Sequence, residues 1–381
     1  MSRPPLLFTP GPLTTRLDTR RAMLTDWGSR EPDFIGLTAE LRRRLLAVAC
    51  GEASHVAIPL QGSGTFIVEA AVGSLVGPDG LLLVLANGAY GVRMAEIARR
   101  TGRRVEVLRW PEHQPVEPAA VDRALAENPA ITHVGVIHCE TTTGLLNPLA
   151  EISAVVARRG RALIVDAMSS FGALPIDLRA TPITALLASS NKCLESVPGI
   201  AFALVEKSAL ERAAGVAPSL CLDLHDQWRG FEANGQWRFT PPVQVAAALV
   251  EALRQLEAEG GPPARYRRYA ANFRILAEGM ERLGFRLFLD PAVQAPIIAT
   301  FHVPDDRRFR FDRFYALLAE RGFVIYPGKL TQTESFRIGC IGDLGPDAFT
   351  GLLEAVGEVM AELGVVHAPP AGSVRRAAQG D

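Results

Sequence analysis

The chain lacks a cysteine framework. Its five cysteines, Cys50, Cys139, Cys193, Cys221 and Cys340, are scattered, odd in number and never spaced as C-x-x-C. Neither a disulfide scaffold nor a thiolate zinc site is indicated, and a reducing, cytoplasmic setting is expected. A charge excess is also missing: 40 Lys and Arg against 41 Asp and Glu leave a net charge of -1. That balance gives no electrostatic reason for a nucleic-acid or acidic-membrane partner. No apolar stretch approaches the roughly 18 residues of a membrane span. The opening MSRPPLLFTPGP has only the short patch LLF before its prolines, which is too little for a secretory signal core. No repeat of fixed period occurs, which excludes solenoids and propellers. The stretch HAPPAGSVRRAAQGD, residues 367–381, is almost free of large apolar side chains and reads as a disordered tail.

What is present is an ordinary globular composition, 48% hydrophobic and 21% charged, over 381 residues. That length exceeds what one core usually supports. An N-terminal arm over 1–18, a large domain over 19–260 and a smaller α+β domain over 261–366 are expected, with GGPP at 260–263 as the boundary. From residue 56, short apolar runs (HVAIPL, LLLVLANG, VEVLRW, HVGVIHC, ALIVDA) alternate with amphipathic helical stretches. The alternation predicts an α/β fold whose mostly parallel sheet is covered by helices. Ligands of such sheets bind beyond the carboxyl ends of the strands. A surface helix is expected over 36–50, a charged loop over 26–34, and an irregular segment over 216–241 whose Trp228, Trp237 and Phe239 suggest an interface, a loop folded onto its own core being the alternative. A helix after residue 263 should bury Tyr266, Tyr269, Phe273, Leu276, Met280 and Leu283 along one side.

Chemistry concentrates at the strand ends. Lys192, in SSNKC, stands between the apolar runs ITALLA and GIAFALV, where a solubilising charge has little reason to be. Asp166 ends the run ALIVD. The pair suggests pyridoxal phosphate: a lysine forms a Schiff base with the cofactor aldehyde, and a carboxylate keeps the pyridine nitrogen protonated. A buried structural ion pair is the alternative. Ser63, Gly64 and Thr65 stand where a strand passes into a helix and could cradle a phosphate at the positive helix end. Tyr90 follows another strand and could lie over a planar ring, and Thr141 to Thr143 end a further one.

Taken together, TPGPLT, QGSGT, NGAYGVRM, ETTTGLLNP, DAMSSFG, SSNKC followed by VPG, QWRFTPP, FVIYPGK and FRIGCIG resemble the 2-aminoethylphosphonate:pyruvate aminotransferases, class V aminotransferases of fold type I. The resemblance runs in order from about residue 6 to 360. It implies a large domain with a seven-stranded type of sheet and a smaller C-terminal domain. It also implies a homodimer whose sites lie at the subunit interface, each holding one pyridoxal phosphate. By resemblance, Lys192 is the Schiff-base lysine and Asp166 the partner of the pyridine nitrogen. Ser63, Gly64, Thr65 and Asn191 match positions near the phosphate, Tyr90 the aromatic stacked on the ring, and Thr142 the hydroxyl near the ring oxygen. Thr240 matches a threonine reaching the neighbouring subunit's phosphate, and Arg337 the arginine that holds the substrate's acid group.

Two stretches depart from the pattern. LESVPG lacks the glutamine and glycine that relatives tend to carry before the valine, and SREPDF replaces a more acidic, tryptophan-containing loop. Arg30 in that loop is a second candidate for substrate binding. The reaction implied is a ping-pong transfer of the amino group from 2-aminoethylphosphonate to pyruvate, giving phosphonoacetaldehyde and L-alanine. A class V transaminase acting on serine or alanine with glyoxylate is the alternative enzyme, and a non-catalytic protein of the same fold the alternative from another class. A cysteine desulfurase is disfavoured because no cysteine lies in a glycine-rich loop, although Cys340 sits close to Arg337 in sequence.

Overall fold

A computed structural model describes residues 4–330 and 333–365, so the predicted tail at 367–381 lies outside the described residues. Seven strands form the main sheet: β1 (His55–Gln61), β2 (Leu81–Ala86), β3 (Arg104–Arg109), β4 (His133–Ile137), β5 (Ala162–Asp166), β6 (Ala185–Ser189) and β7 (Ile200–Glu206). Their spatial order is β1-β7-β6-β5-β4-β2-β3. Neighbours from β6 through β3 pair in parallel, whereas β7 runs antiparallel to both β6 and β1. All six strands other than β7 therefore point their carboxyl ends to the same edge.

The residue types follow from burial. β2 reads LLLVLA with every residue buried, as a strand covered on both faces must be. The edge strand β3 reads RVEVLR and alternates exposed with half-buried positions.

Ten helices of ten or more residues accompany the sheets among the described residues: α1 (Pro32–Val48), α2 (Gly64–Leu75), α3 (Ala89–Arg100), α4 (Pro118–Glu127), α5 (Leu149–Arg158), α6 (Leu224–Asn234), α7 (Val243–Glu259), α8 (Gly261–Arg282), α9 (Phe311–Glu320) and α10 (Pro346–Glu362). α1 begins inside the stretch expected to be a loop. Pro32 occupies its first turn, Asp33 complements the helix dipole there, and Phe34 opens the buried stripe Phe34, Thr38, Leu41, Leu45.

The segment expected to be irregular also contains a helix. Asp223 caps α6 by accepting from the Asp226 amide, and Gly235 ends it with a φ of 74°. Trp228 and Trp237 are buried, and the Trp237 indole N–H donates to Thr38 Oγ1 at 3.1 Å, so only Phe239 of the three aromatics faces solvent. In α8, Tyr269, Leu276 and Met280 are buried, but Tyr266 is exposed and is not part of that stripe.

A second sheet holds β8 (Ile298–His302), β9 (Tyr326–Pro327) and β10 (Ser335–Gly339) in the order β8-β10-β9, all antiparallel. The run FVIYPG is split, because Phe323–Val324 pairs in parallel with Leu6–Leu7 while Tyr326–Pro327 pairs with β10. Buried apolar residues fall into one large cluster from Phe34 to Leu256, a second that joins residues from Leu276 to Val365 with Phe8, and a small third that joins Leu13 to Cys193, Tyr269 and Ile341. Phe8 packs edge-on against Phe349 at 5.0 Å. The Gly339 amide donates to the Phe8 carbonyl and the Asp343 amide to that of Thr14. At Gly339 the arm passes so close that a Cβ would lie 2.3 Å from the Thr9 carbonyl oxygen. The arm is thus stitched to the second core and is carried from there to the carboxyl edge of the main sheet.

Candidate active site

That edge opens into a cleft of about 180 Å³, lined among others by Ser63, Gly64, Thr65, Tyr90, Asp166, Asn191 and Lys192. They come from the carboxyl ends of four strands, β1, β2, β5 and β6, or from the segments that directly follow them.

Lys192 follows β6. Its ammonium donates to the Pro10 carbonyl of the arm, and Gly11 lies against the lysine stem, where a Cβ would sit 3.0 Å from Cδ. Burial pushes the Lys192 pKa down to about 8, aided by the Arg337 charge and opposed by Cys193 and Asp166. Asp166 is the last residue of β5 and is 6% exposed. Burial pushes its pKa up to about 7 against the pull of the Met168 N–H, which donates to Oδ1 at 3.0 Å, and of Lys192. Base and acid are each held close to neutrality, as catalytic groups require.

Ser63 is the N-cap residue of α2, yet its hydroxyl caps no amide of the helix. The first N–H groups of a helix have no intrahelical acceptors and carry the positive end of its dipole, so this terminus suits an anion. Tyr90 stands in the first turn of α3, and its amide donates to Glu140 Oε2 at 3.3 Å. The Glu140 carboxyl is fully buried, and its Oε1 also accepts from the Thr142 amide and hydroxyl, at 3.2 and 2.7 Å. Only glycine fits at position 88 beside it, since a Cβ there would lie 2.3 Å from the carboxyl carbon. Burial raises the Glu140 pKa, and those donors oppose the rise.

Thr142 therefore faces Glu140 and does not line the cleft; Thr141 does, with its hydroxyl 2.6 Å from that of Ser169. Arg93, one turn beyond Tyr90, also lines the cleft, and its Nη1 donates to Thr65 Oγ1 at 3.4 Å. Neither Arg93 nor Glu140 was singled out in the sequence. Arg93 is one of many helical arginines, and the acid's role becomes visible only once Gly88 is seen to make room for it.

Arg337 lies in β10 and is 2% exposed. Its Nε donates to the Pro327 carbonyl at 3.0 Å and its Nη1 to the Thr141 carbonyl at 2.9 Å, while the guanidinium stacks 5.0 Å from the Tyr326 ring. Among the described residues it has no carboxylate partner, and burial lowers its pKa. It is not a surface ion pair.

Thr240 and Arg30 are both exposed, and neither lines this cleft. Cys340 is fully buried and its thiol is pushed upward by burial, as is that of Cys193, to about 12. No thiolate nucleophile is poised beside Arg337, which removes the basis for a desulfurase.

Behind Lys192, Glu195 adopts a φ of 58° and is buried. Its carboxylate accepts from Arg268 at 2.8 Å and from the Tyr269 hydroxyl at 2.6 Å. Arg265, fully buried, holds the Cys193 carbonyl at 2.8 Å and Glu259 at 2.7 Å. Arg268 also donates to the Gly342 carbonyl. The departing LESVPG stretch is thus the socket of an ion cluster that ties the lysine turn to α8.

A free amine, a buried acid with one oxygen still open to the cleft, an uncapped helix terminus and a flanking aromatic are the donor set that pyridoxal phosphate needs. The cleft fits that group. Residues 53–333 match the aminotransferase class-V family, and the chain belongs to it. The protein is an aminotransferase. It is 57% identical over 366 residues to a 2-aminoethylphosphonate–pyruvate transaminase of Pseudomonas putida, covering 96% of this chain and 100% of the relative. With the protein of the same name from Pseudomonas aeruginosa it shares 56% over 365 residues, covering 96% and 98%. Among solved structures, the pyridoxamine-pyruvate aminotransferase of Mesorhizobium loti superposes with a TM-score of 0.87 at 27% identity, covering 95% of this chain and 93% of that one.

Proposed function

We propose that this chain transfers the amino group of 2-aminoethylphosphonate to pyruvate, giving phosphonoacetaldehyde and L-alanine, with pyridoxal phosphate in the cleft of each subunit of a homodimer. The observation that carries the chemistry is the convergence of Lys192 and Asp166 on one cleft, with pKa values moved toward each other to about 8 and about 7. The choice of substrates rests on the relatives that match the chain from end to end.

Ser63, Gly64 and Thr65 would hold the phosphate at the α2 terminus, Tyr90 would cover the ring, and Asn191 would stand beside them. When bound, that group supplies an electron sink that acidifies the carbon carrying the substrate nitrogen. Asp166 has the role of holding a proton at the ring nitrogen, and its burial strengthens that ionic contact. Lys192 takes the proton from the acidified carbon, and a pKa of about 8 leaves enough neutral amine near neutral pH to do so. The Pro10 carbonyl keeps the amine directed while it is free. Arg337 receives the acid group of either substrate, because it is a buried guanidinium with donors to spare and no carboxylate to neutralise it. Thr240 lies beside exposed Phe239 in this protomer and would reach a phosphate only in a neighbouring subunit.

Incubating the purified protein with 2-aminoethylphosphonate and pyruvate and identifying the products tests the reading. Phosphonoacetaldehyde and L-alanine in equal amounts are expected. Faster transfer from serine or alanine to glyoxylate would overturn it.

A further inference from the structure

Lys192 and Arg93 line the cleft, while Arg337 and Lys329 stand beside it around Tyr90 and are not part of its lining, so the positive charge gathered there exceeds what one acid group requires. Besides Lys192 and Arg337, two cations face the Tyr90 ring: the Arg93 guanidinium at 5.0 Å and the Lys329 ammonium at 5.5 Å from its centroid. Arg93 is already turned toward Thr65 at the α2 terminus. Lys329 is in no ion pair among the described residues. Partial burial together with the Arg93 and Arg337 charges holds its ammonium below the ordinary lysine range.

The backbone explains its position. Gly328 lies so close to Ser335 that a Cβ would stand 2.0 Å from the Ser335 carbonyl oxygen, so the chain leaving β9 is pressed against the start of β10. Pro327, on the other side of that glycine, gives its carbonyl to Arg337 Nε. The paired strands β9 and β10 therefore present both cations, Arg337 from β10 and Lys329 from just after β9, near Tyr90.

A transaminase with one site must accept two different anions in turn. A carboxylate offers two oxygens and one charge, which the planar fork of Arg337 can match. A phosphonate offers three oxygens and, once its second proton is lost, two negative charges. We propose that Lys329 is the specificity residue for the phosphonate donor: it meets the third oxygen and the second charge, while the keto acid uses Arg337 alone. The proposal rests on the function given above and deepens it, because it assigns the discrimination between donor and acceptor to a residue outside the fork.

The test measures the two half-reactions separately in the cofactor-loaded enzyme, for wild type, Lys329→Ala and Lys329→Arg. The alanine variant should lose about tenfold or more in kcat/KM for 2-aminoethylphosphonate, as expected for a charge-assisted contact, and change pyruvate efficiency by less than about threefold. The arginine variant should recover most of the loss. Binding of methylphosphonate and of acetate, followed by calorimetry, gives a readout free of turnover: Lys329→Ala should weaken methylphosphonate about tenfold and leave acetate unchanged. Equal losses for both anions, or none for the phosphonate, overturn the assignment. A wild-type enzyme inert toward 2-aminoethylphosphonate overturns the function reading, while methylphosphonate binding still decides the role of Lys329.

Discussion

Arg337 donates to the carbonyl of Thr141 across 196 positions of chain, so the second sheet places a guanidinium at the carboxyl edge of the first. The contact fixes where an anion must sit relative to Lys192. Arg337→Ala should cost about ten- to a hundredfold in kcat/KM per lost charge-assisted bond, in both half-reactions. Arg337→Lys should recover only part, because an ammonium cannot hold two backbone carbonyls and still offer a fork. Single-turnover kinetics with each substrate check this, and normal efficiency with both would remove Arg337 from the site.

Asp166→Asn keeps the shape of the strand end but cannot carry the negative charge that favours a protonated ring nitrogen. Turnover should fall by at least about tenfold with the unfolding midpoint little changed. Near-normal turnover would mean that another acid serves the ring.

Lys192 gives a pH-dependent stability signature in the cofactor-free protein. Its folded pKa of about 8 lies below its ordinary 10.5, so between those values the unfolded chain binds more protons and stability rises with pH. Below pH 8 the full penalty of burying the ammonium is present, on the order of 3 kcal/mol. Lys192→Met should therefore be more stable than wild type at pH 6 to 7 by roughly that amount, and the gap should close as the pH passes from 8 toward 10.5. Urea unfolding across that range measures it, and a gap independent of pH would refute the burial argument.

The ion cluster behind the lysine predicts a contrast. Arg265 is fully buried between Glu259 and the Cys193 carbonyl, so Arg265→Ala strips that carbonyl of its donor, leaves Glu259 to Arg268 and should cost about 1.5–3 kcal/mol. Tyr266→Ala, one position along the same helix but exposed, should stay within about 0.5 kcal/mol. Equal midpoints for the two variants in urea would show that the cluster does not stabilise the fold.

The main sheet was legible because its strands are continuous apolar runs separated by amphipathic helices, and a parallel sheet buried on both faces leaves such a trace. Lys192 and Asp166 were legible for the same reason, since a charge at the end of such a run is conspicuous. α6 was not. Its buried Leu224, Trp228 and Phe231 do fall at helical spacing, but the stripe is only eleven residues long and mixed with charges, and the Asp223 cap that starts the helix shows only in the structure. Choosing between Thr141 and Thr142 was equally beyond the sequence. Adjacent threonines at a strand end differ only in which way the chain turns, and here Glu140 claims the second. Lys329 ends the motif FVIYPGK, yet its place over Tyr90 depends on the close approach of Gly328 to Ser335, a contact between segments that no local pattern announces.

The arm that runs from Leu6 to Thr14 belongs to three neighbourhoods at once: Phe8 is a plug in the second core, Pro10 faces the Lys192 amine, and Thr14 pins the loop that follows β10. It behaves as a drawstring. Loosening it at any of the three points frees the other two, so a lesion far from the chemistry, such as a smaller side chain in place of Phe8, would be felt as a lysine that no longer knows where to rest.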